Sequence, residues 1–393
     1  MKERKKNPVA VILAFLVGAA VTAGAMYGWM KSTDRIVTDE NEYNEYKAAA
    51  EHYEKLSEIE NLILNDSLWD ADEDTLLDAA CDAMLKTLED PYSRYLSEDE
   101  IAGMESSLSG DMVGVGIRMY EDGEGRLSVS EVISESPAAA AGIKAGDIIE
   151  KIDGKKTGTM EDASSALFGE AGTSVSITYE RDGDEKTVSL VRGEIRDSSV
   201  NSVMLKDNIG YIRIKTFGEK TAKEFSSELS AMEDKQAAGV IIDLRGNSGG
   251  LVDQGIAIAD ALLPEGTIVY TEDRNGEREN FNSDSLCTSL KYVLLVDGET
   301  ASAAEIVAAA VKDGGGVLVG ERTYGKGVIQ ETVFFDDGTG VSLTTREFFS
   351  PSGKAINKKG VKPDIEKDTG SDPDRDLQLE AAIAEIKGSA RKG

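Results

Sequence analysis

Residues 239–250 read GVIIDLRGNSGG, a continuous apolar run that stops at an aspartate and enters a glycine-rich turn. An uninterrupted apolar run of this length is typical of a strand that is buried on both faces of a parallel sheet. Strands and helices alternate on either side of it: the predicted strands cover residues 209–214, 239–244, 292–296 and 317–319, and the predicted helices cover 222–232, 254–262 and 304–312. This alternation predicts an α/β core.

The segments outside this core follow other patterns. Apolar residues recur at helical spacing between residues 39 and 105, where Asp90-Pro91 ends a helix. Glycines then separate five short predicted strands at residues 113–120, 127–133, 148–152, 175–180 and 187–191. After Pro363, a charged linker precedes an apolar stripe at helical spacing. We therefore predict a multidomain α+β protein with an N-terminal helical region, a small β-rich domain, the α/β core and a C-terminal helix.

The composition excludes two kinds of function. The 393 residues carry 43 Lys and Arg against 73 Asp and Glu, a net charge of −30, and so acidic a body repels the phosphate backbone of nucleic acids. The single histidine, His52, lies in a predicted helix, so a histidine-rich zinc site has no ligands and a Ser-His-Asp hydrolase would depend on that one residue. The two cysteines, Cys81 and Cys287, are far apart in the sequence, and we predict separate core thiols.

The N-terminus predicts export of the body of the protein. A basic run is followed by the uncharged residues 9–30, which as a helix at 1.5 Å per residue are long enough to cross a hydrocarbon core of about 30 Å. Basic residues on the N-terminal side place that end in the cytoplasm and the body outside. The alternative is a signal peptide that is cleaved near Ala23-Gly24-Ala25.

Two familiar signatures do not hold. Residues 246–250 match the G-x-S-x-G pattern of a nucleophile elbow, but no histidine follows Ser248 to serve as its base. Residues 320–326 match the start of a phosphate-binding loop, but Gly327 stands where a Mg²⁺-binding Ser or Thr is needed. Neither a histidine-dependent hydrolase nor a nucleotide-binding protein is predicted.

A third stretch, TASAAE at residues 300–305, combines structural and chemical signals. Ser302 and Glu305 form a capping box, which predicts a helix N-terminus at this point. A serine there lies beside free N–H groups and the positive end of the helix dipole, which suits an oxyanion hole. With histidine excluded, the remaining choice of base is a lysine that burial renders neutral, and Lys326, between two glycines in an apolar stretch, fits. Gln330, four positions along the next strand, faces the same way and could orient it.

At these residues the sequence resembles the carboxyl-terminal processing peptidases, a family of tail-cutting proteases with a Ser-Lys dyad. The resemblance places the nucleophile on Ser302, the general base on Lys326 and the residue that orients it on Gln330. Residues 243–250 are similar to the family segment that supplies oxyanion amides, and residues 90–96 and 360–365 resemble further landmarks. The one departure is Ala304, where many members carry serine.

The β-rich domain resembles a PDZ domain. Its carboxylate-binding loop corresponds to Gly114, Val115, Gly116 and Ile117, and the later motifs follow in the usual order. Such a loop offers consecutive N–H donors to a terminal carboxylate while the peptide adds a strand to the sheet edge.

Together the resemblances imply this organisation: a basic N-terminus with an anchor or signal at 1–30, a helical region at 31–110, a PDZ domain at 111–193, a Ser-Lys protease core at 194–369 and a helical tail at 370–393. They imply a serine endopeptidase that cuts near protein C-termini through an acyl-enzyme, with oxyanion donors from Ala303, Gly249 and Gly250 and without a metal or organic cofactor. The expected partners are protein C-termini, the membrane and a second copy of the chain. A catalytically silent PDZ scaffold that binds C-termini, or an enzyme gated by its PDZ domain, stays open.

Overall fold

The structure is a computed structural model, and it describes residues 40–109, 111–123, 125–370, 372 and 375–388. The chain divides into two compact units, with the boundary between Cys81 and Asp82. The first unit holds helix α1 (Glu40–Asp66) and most of α2 (Glu73–Lys86). Asp72 starts α2, because its carboxylate accepts hydrogen bonds from the N–H and the hydroxyl of Thr75.

No helix among these residues has both the length and the apolar character that a membrane span requires. The predicted anchor at residues 9–30 lies outside the described residues.

The second unit begins with the end of α2, followed by strand β1 (Arg94–Leu96), helix α3 (Glu98–Ser109) and the β-rich domain. Its elements are β2 (Asp111–Gly114), β3 (Ile117–Glu121), β4 (Leu127–Val132), α4 (Pro137–Ala140), β5 (Ile148–Ile152), β6 (Lys155–Lys156), α5 (Met160–Leu167), β7 (Ser174–Arg181), β8 (Asp184–Val191) and β9 (Gly193–Arg196). Five strands form a sheet in the order β3-β4-β5-β7-β8, with β6 on β5, while β2 pairs with β9.

The single strand predicted at residues 113–120 is wrong, because the chain turns between β2 and β3. At this turn Gly116 has φ +81°, and a Cβ there would lie only 2.2 Å from the Cβ of Ser136. The turn therefore requires glycine, and a strand cannot pass through it.

The α/β core contains β10 (Val200–Met204), β11 (Ile209–Ile214), α6 (Thr221–Asp234), β12 (Gly239–Asp243), α7 (Val252–Leu262), β13 (Gly266–Asp273), β14 (Arg278–Ser283), β15 (Tyr292–Val296), α8 (Ala303–Asp313), β16 (Val317–Gly320), β17 (Val328–Phe334), β18 (Gly340–Phe349), β19 (Ile365–Glu366) and α9 (Leu377–Ile386). Its main sheet has the order β10-β11-β12-β15-β16-β19, parallel from β11 onward. Alternate residues of β12 are buried on opposite faces, Val240 with α6, α7 and α8, and Ile241 with α9. Both faces are covered, which explains the unbroken apolar run.

A second, antiparallel sheet has the order β1-β18-β13-β14, with β17 also paired to β18. Sequence analysis identified only β17 as strand-like, since β13 and β14 mix apolar with charged residues. Ile268 and Phe348 of this sheet are buried in the same core as α7 and α8. The sheet therefore packs as part of the α/β core.

The cysteine prediction is partly wrong. Both cysteines are free, as expected, but Cys287 is exposed and Cys81 is partly exposed. Cys287 lies in the loop between β14 and β15, where neither sheet covers it.

The sheet order has a direct consequence for the site. Three neighbouring parallel strands, β12, β15 and β16, end at the same edge of the main sheet. The loops that follow them carry residues 244–250, Ser302 and Lys326, respectively. In open α/β sheets, this edge is where ligands bind.

Phe348 connects the antiparallel sheet to the α/β core and has no solvent exposure. We expect Phe348→Ala to lower the free energy of unfolding by about 3–5 kcal/mol, because it leaves a cavity in a packed core. Phe335→Ala, at a residue that is 46% exposed, is the matched control and should cost less than about 1 kcal/mol. Urea denaturation of both variants measures this, and equal losses would contradict the assignment.

Candidate active site

Ser302 lies in the turn between β15 and α8 with φ 57° and ψ −120°. A non-glycine residue in this region is strained by about 1–3 kcal/mol, so the surrounding contacts must hold it. The N–H of Ala301 donates to the carbonyl of Asn247 (2.9 Å), and the hydroxyl of Thr300 donates to the carbonyl of Leu244 (3.0 Å). The turn after β12 therefore fixes the turn that carries the serine.

Glu305 is completely buried at the start of α8. Its carboxylate accepts four hydrogen bonds: from the N–H of Ser302 (3.0 Å) and Lys326 (2.8 Å) at Oε2, and from the hydroxyl of Thr323 (2.5 Å) and the N–H of Gly325 (2.7 Å) at Oε1. Burial raises the pKa of Glu305, but every partner is a donor, which favours the ionised form. One carboxylate thus joins the serine turn to the lysine loop.

Lys326 follows Gly325 in the loop after β16, and its side chain is half-buried. Its Nζ lies 4.8 Å from the centre of the Tyr92 ring. Burial lowers the pKa of Lys326 below its usual value, while the nearby negative charge of Asp90 acts to raise it. Among the described residues, no hydrogen bond joins Lys326 Nζ to Ser302 Oγ. Catalytic hydrogen bonds are often long without substrate and shorten in the complex.

Gln330 lies on β17 beyond Lys326 and donates from Nε2 to the hydroxyl of Thr344 (3.0 Å). The N–H of Thr344 donates to the Ser93 hydroxyl, which in turn donates to the carboxylate of Asp90 (2.6 Å). This chain of contacts places residues 90–93 beside the lysine. The structure therefore links Gln330 to the surroundings of Lys326 through Thr344.

Gly249 packs directly against the serine, since a Cβ added to it would lie 2.8 Å from the Cβ of Ser302. Its N–H donates to Oδ1 of the buried Asn247 (2.8 Å), so this amide already has an acceptor. The N–H groups of Gly250 and Ala303 have no acceptor in the part of the chain that the structure describes. These two amides are available to stabilise negative charge near Ser302.

Arg245 fixes the start of the same turn. Its guanidinium donates to the carboxylates of Asp243 (2.6 Å) and Asp376 (2.9 Å) and to the side chain of Gln378 (3.1 Å). The hydroxyl of Tyr211 also donates to Asp243, and burial together with this carboxylate raises the pKa of Tyr211 to about 12. Asp376 and Gln378 belong to the start of α9, so the C-terminal helix holds this turn in place.

The β-rich domain carries a groove of about 250 Å³. It is mainly apolar, with walls formed by Val115, Ile117, Ile133, Met160, Leu167 and Phe168. At one end, the N–H groups of Val115 and Gly116 have no acceptor among the residues that the structure describes. Free amides beside an apolar groove are what a terminal carboxylate and an apolar last side chain require.

The chain is similar to proteins of known family. Residues 208–367 match peptidase family S41, residues 112–191 a PDZ domain, and residues 16–100 the N-terminal domain of the activating protease CtpB. The carboxy-terminal processing protease CtpA of Bacillus subtilis is 36% identical over 319 residues, which cover 80% of this chain and 68% of that protein. This chain belongs to the carboxyl-terminal processing proteases.

Other relatives agree. The carboxyl-terminal-processing protease of Synechocystis sp. is 36% identical over 72% of this chain and 69% of its own. The solved structure of the photosystem II D1 C-terminal processing protease is 30% identical, with a TM-score of 0.51 over 84% of this chain and 90% of that one. A putative S41 protease from Bacteroides fragilis, 17% identical with a TM-score of 0.54 over 84% and 97% of the two chains, shares the fold.

These findings confirm the predicted family and the multidomain α+β fold, and they make the protein a serine-type peptidase that binds protein or peptide substrates through protease and PDZ domains. Sequence analysis missed three parts of the protease's site. It assigned Glu305 only a capping role, and it did not single out Asn247 or the contact of Arg245 with α9. A glutamate three residues after the serine was the one available signal, since its burial cannot be inferred from the motif.

Glu305→Gln tests whether the carboxylate holds the Ser302 turn and the Lys326 loop together. An amide has one acceptor oxygen instead of two, so two of the four hydrogen bonds are lost or become repulsive, and the serine and lysine move apart. We expect kcat for peptide cleavage to fall about 10²-fold with little change in KM, while thermal unfolding stays cooperative. Glu321→Gln, at an exposed position after β16, is the control and should keep full activity. Normal kcat in Glu305→Gln would contradict this role.

Proposed function

We propose that this protease is an endopeptidase that cuts proteins near their carboxyl ends, with Ser302 as nucleophile and Lys326 as general base. The observation that carries this proposal is the buried carboxylate of Glu305, which accepts hydrogen bonds from the backbone of both residues. The absence of a usable histidine and the lowered pKa of Lys326 support the lysine as base.

The mechanism follows from these positions. Neutral Lys326 takes the proton of the Ser302 hydroxyl as the oxygen attacks the scissile carbonyl, and the amides of Ala303 and Gly250 stabilise the oxyanion. Lys326 then protonates the leaving amine, and water hydrolyses the acyl-enzyme on Ser302. Gln330 orients the lysine once the substrate is bound, and the N–H of Gly249 joins the oxyanion hole if its bond to Asn247 opens.

The PDZ domain is proposed to capture the free carboxyl end of the substrate. The unpaired amides of Val115 and Gly116 and the apolar groove beside them support this role. The loop that holds these amides is the one identified from the sequence, Gly114 to Ile117. Recognition of the carboxylate would restrict cleavage to chains with a free C-terminus.

We also propose an extracytoplasmic location, with residues 9–30 as a membrane anchor or, alternatively, a cleaved signal. A homodimer is proposed from helix α1, whose apolar residues Leu56, Ile59 and Leu62 are 43–59% exposed. Sedimentation of the purified full-length protein tests the dimer, and protease accessibility of the body in intact cells tests the location.

The dyad and carboxylate capture are tested together. Full-length wild type, Ser302→Ala and Lys326→Met are incubated with an unstructured polypeptide that ends in an apolar residue, and with the same polypeptide amidated at its end. We expect cleavage by wild type only, at least 10³-fold above either variant, and slower cleavage of the amidated chain. Cleavage by Ser302→Ala would refute the nucleophile. Tight binding without cleavage by wild type would favour the scaffold.

The pH dependence follows from the position of Asp90. The base must be neutral, so kcat/KM rises with pH until Lys326 has lost its proton. Asp90→Asn removes the charge that raises the pKa of Lys326, so this pKa falls and the rising limb of the pH profile moves to lower pH. Asp99→Asn, at an exposed position on α3, should leave the profile unchanged. A limb that stays in place or moves to higher pH in Asp90→Asn would contradict the assignment.

A further inference from the structure

A cleft of about 800 Å³ lies between the PDZ domain and the α/β core. It shares Arg118 and Phe168 with the PDZ groove, and its lining also includes Arg245 and Gly246. Gly246 belongs to the turn in which Gly249 packs against Ser302. The cleft therefore extends from the groove for the carboxyl end to the first residues of the turn that packs against the proposed nucleophile.

The lining of this cleft is rich in cations, although the chain has a net charge of −30. Its basic residues are Arg118, Arg213, Lys215, Lys220 and Arg245, and its acidic residues are Glu131, Asp197 and Glu224. Arg118 pairs with Glu131 and Asp197, and Lys215 also pairs with Asp197. Arg245 pairs with Asp243 and Asp376, and Lys220 also has a partner. Of the five basic residues in the lining, this leaves Arg213.

Arg213 is exposed and has no ion pair or side-chain hydrogen bond within the described ranges of the chain. It is the second-last residue of β11, and Lys215 follows directly after the end of this strand. Glu299 also lies beside Gly246: a Cβ on Gly246 would lie 3.6 Å from Glu299 Oε2 and 4.0 Å from Arg213 Nη2, yet Glu299 and Arg213 make no ion pair among the described residues. A guanidinium with free donors is suited to bind a carboxylate with two parallel hydrogen bonds.

We propose that Arg213 binds an acidic side chain of the substrate, in the segment between the captured carboxyl end and the scissile bond. This rests on the proposed function, with the cleft taken as the path of the substrate from the PDZ groove towards Ser302. The preferred substrate is then a chain with an apolar last residue and an Asp or Glu upstream of it. Its carboxylate occupies the cleft beside Arg213 and the turn at Gly246.

The test uses the full-length protein and a peptide series in which one Glu is moved through the last ten positions before an apolar end, each compared with its Gln twin. We expect kcat/KM of wild type to be about fivefold higher for Glu than for Gln at one or two positions, as a partly exposed charged pair gives. Arg213→Gln should bring this ratio to one, and Arg213→Glu should favour Lys at the same position. Arg274→Gln, an exposed arginine in the turn between β13 and β14, should keep the wild-type ratio.

A binding measurement separates this proposal from the proposed function. The Glu and Gln peptides are titrated against Ser302→Ala and against Ser302→Ala with Arg213→Gln, using a fluorescent label on the peptide N-terminus. Loss of the Glu preference in the double variant supports the role of Arg213 even if wild type cleaves nothing. An unchanged preference in the Arg213 variants, or no preference at any position, would overturn it.

Discussion

The buried carboxylate of Glu305 is the interaction on which the site depends. The carboxylate has no contact with solvent, and four hydrogen-bond donors compensate for the lost hydration. Two of them are the backbone N–H groups of Ser302 and Lys326. A buried charge is costly unless it is fully hydrogen-bonded, so release of either loop would remove donors from a buried carboxylate. One of these bonds comes from the N–H of Ser302, and together with the bonds of Thr300 and Ala301 to the turn after β12 it holds the serine in its strained conformation. The buried bonds that position the two proposed catalytic residues therefore also stabilise the fold.

Sheet topology brings these loops together in the first place. Strands β12, β15 and β16 are adjacent and parallel, and each sends its C-terminal loop to the same edge. Asn247 and Thr300 connect the first two loops, and the N–H of Tyr324 donates to the carbonyl of Thr300 (3.0 Å) to connect the third. The C-terminal helix adds support through Arg245. Each loop is held by its neighbours, so no single strand determines the site.

Some parts of this arrangement could be predicted from the sequence and others could not. The exclusion of histidine, the serine at a helix start and Lys326 between glycines are local signals, and with the family resemblance they led to the proposed nucleophile and base. The role of Glu305 could not be predicted, because a capping box fully explains its position three residues after Ser302. Its bonds to Thr323, Gly325 and Lys326 depend on the order of strands in the sheet. The antiparallel sheet was missed because apolar and polar residues do not alternate regularly along β13 and β14. The exposure of Cys287 could not be predicted because it depends on how the sheets pack around its loop.

The most direct test of the account is covalent labelling of the serine. The full-length protein is treated with diisopropyl fluorophosphate over a range of pH, and the adduct is located by mass spectrometry. The account predicts a single adduct on Ser302, formed faster as pH rises, and much slower labelling in Lys326→Met. An adduct on Ser248 or elsewhere, or undiminished labelling of Ser302 in Lys326→Met, would contradict the proposed dyad.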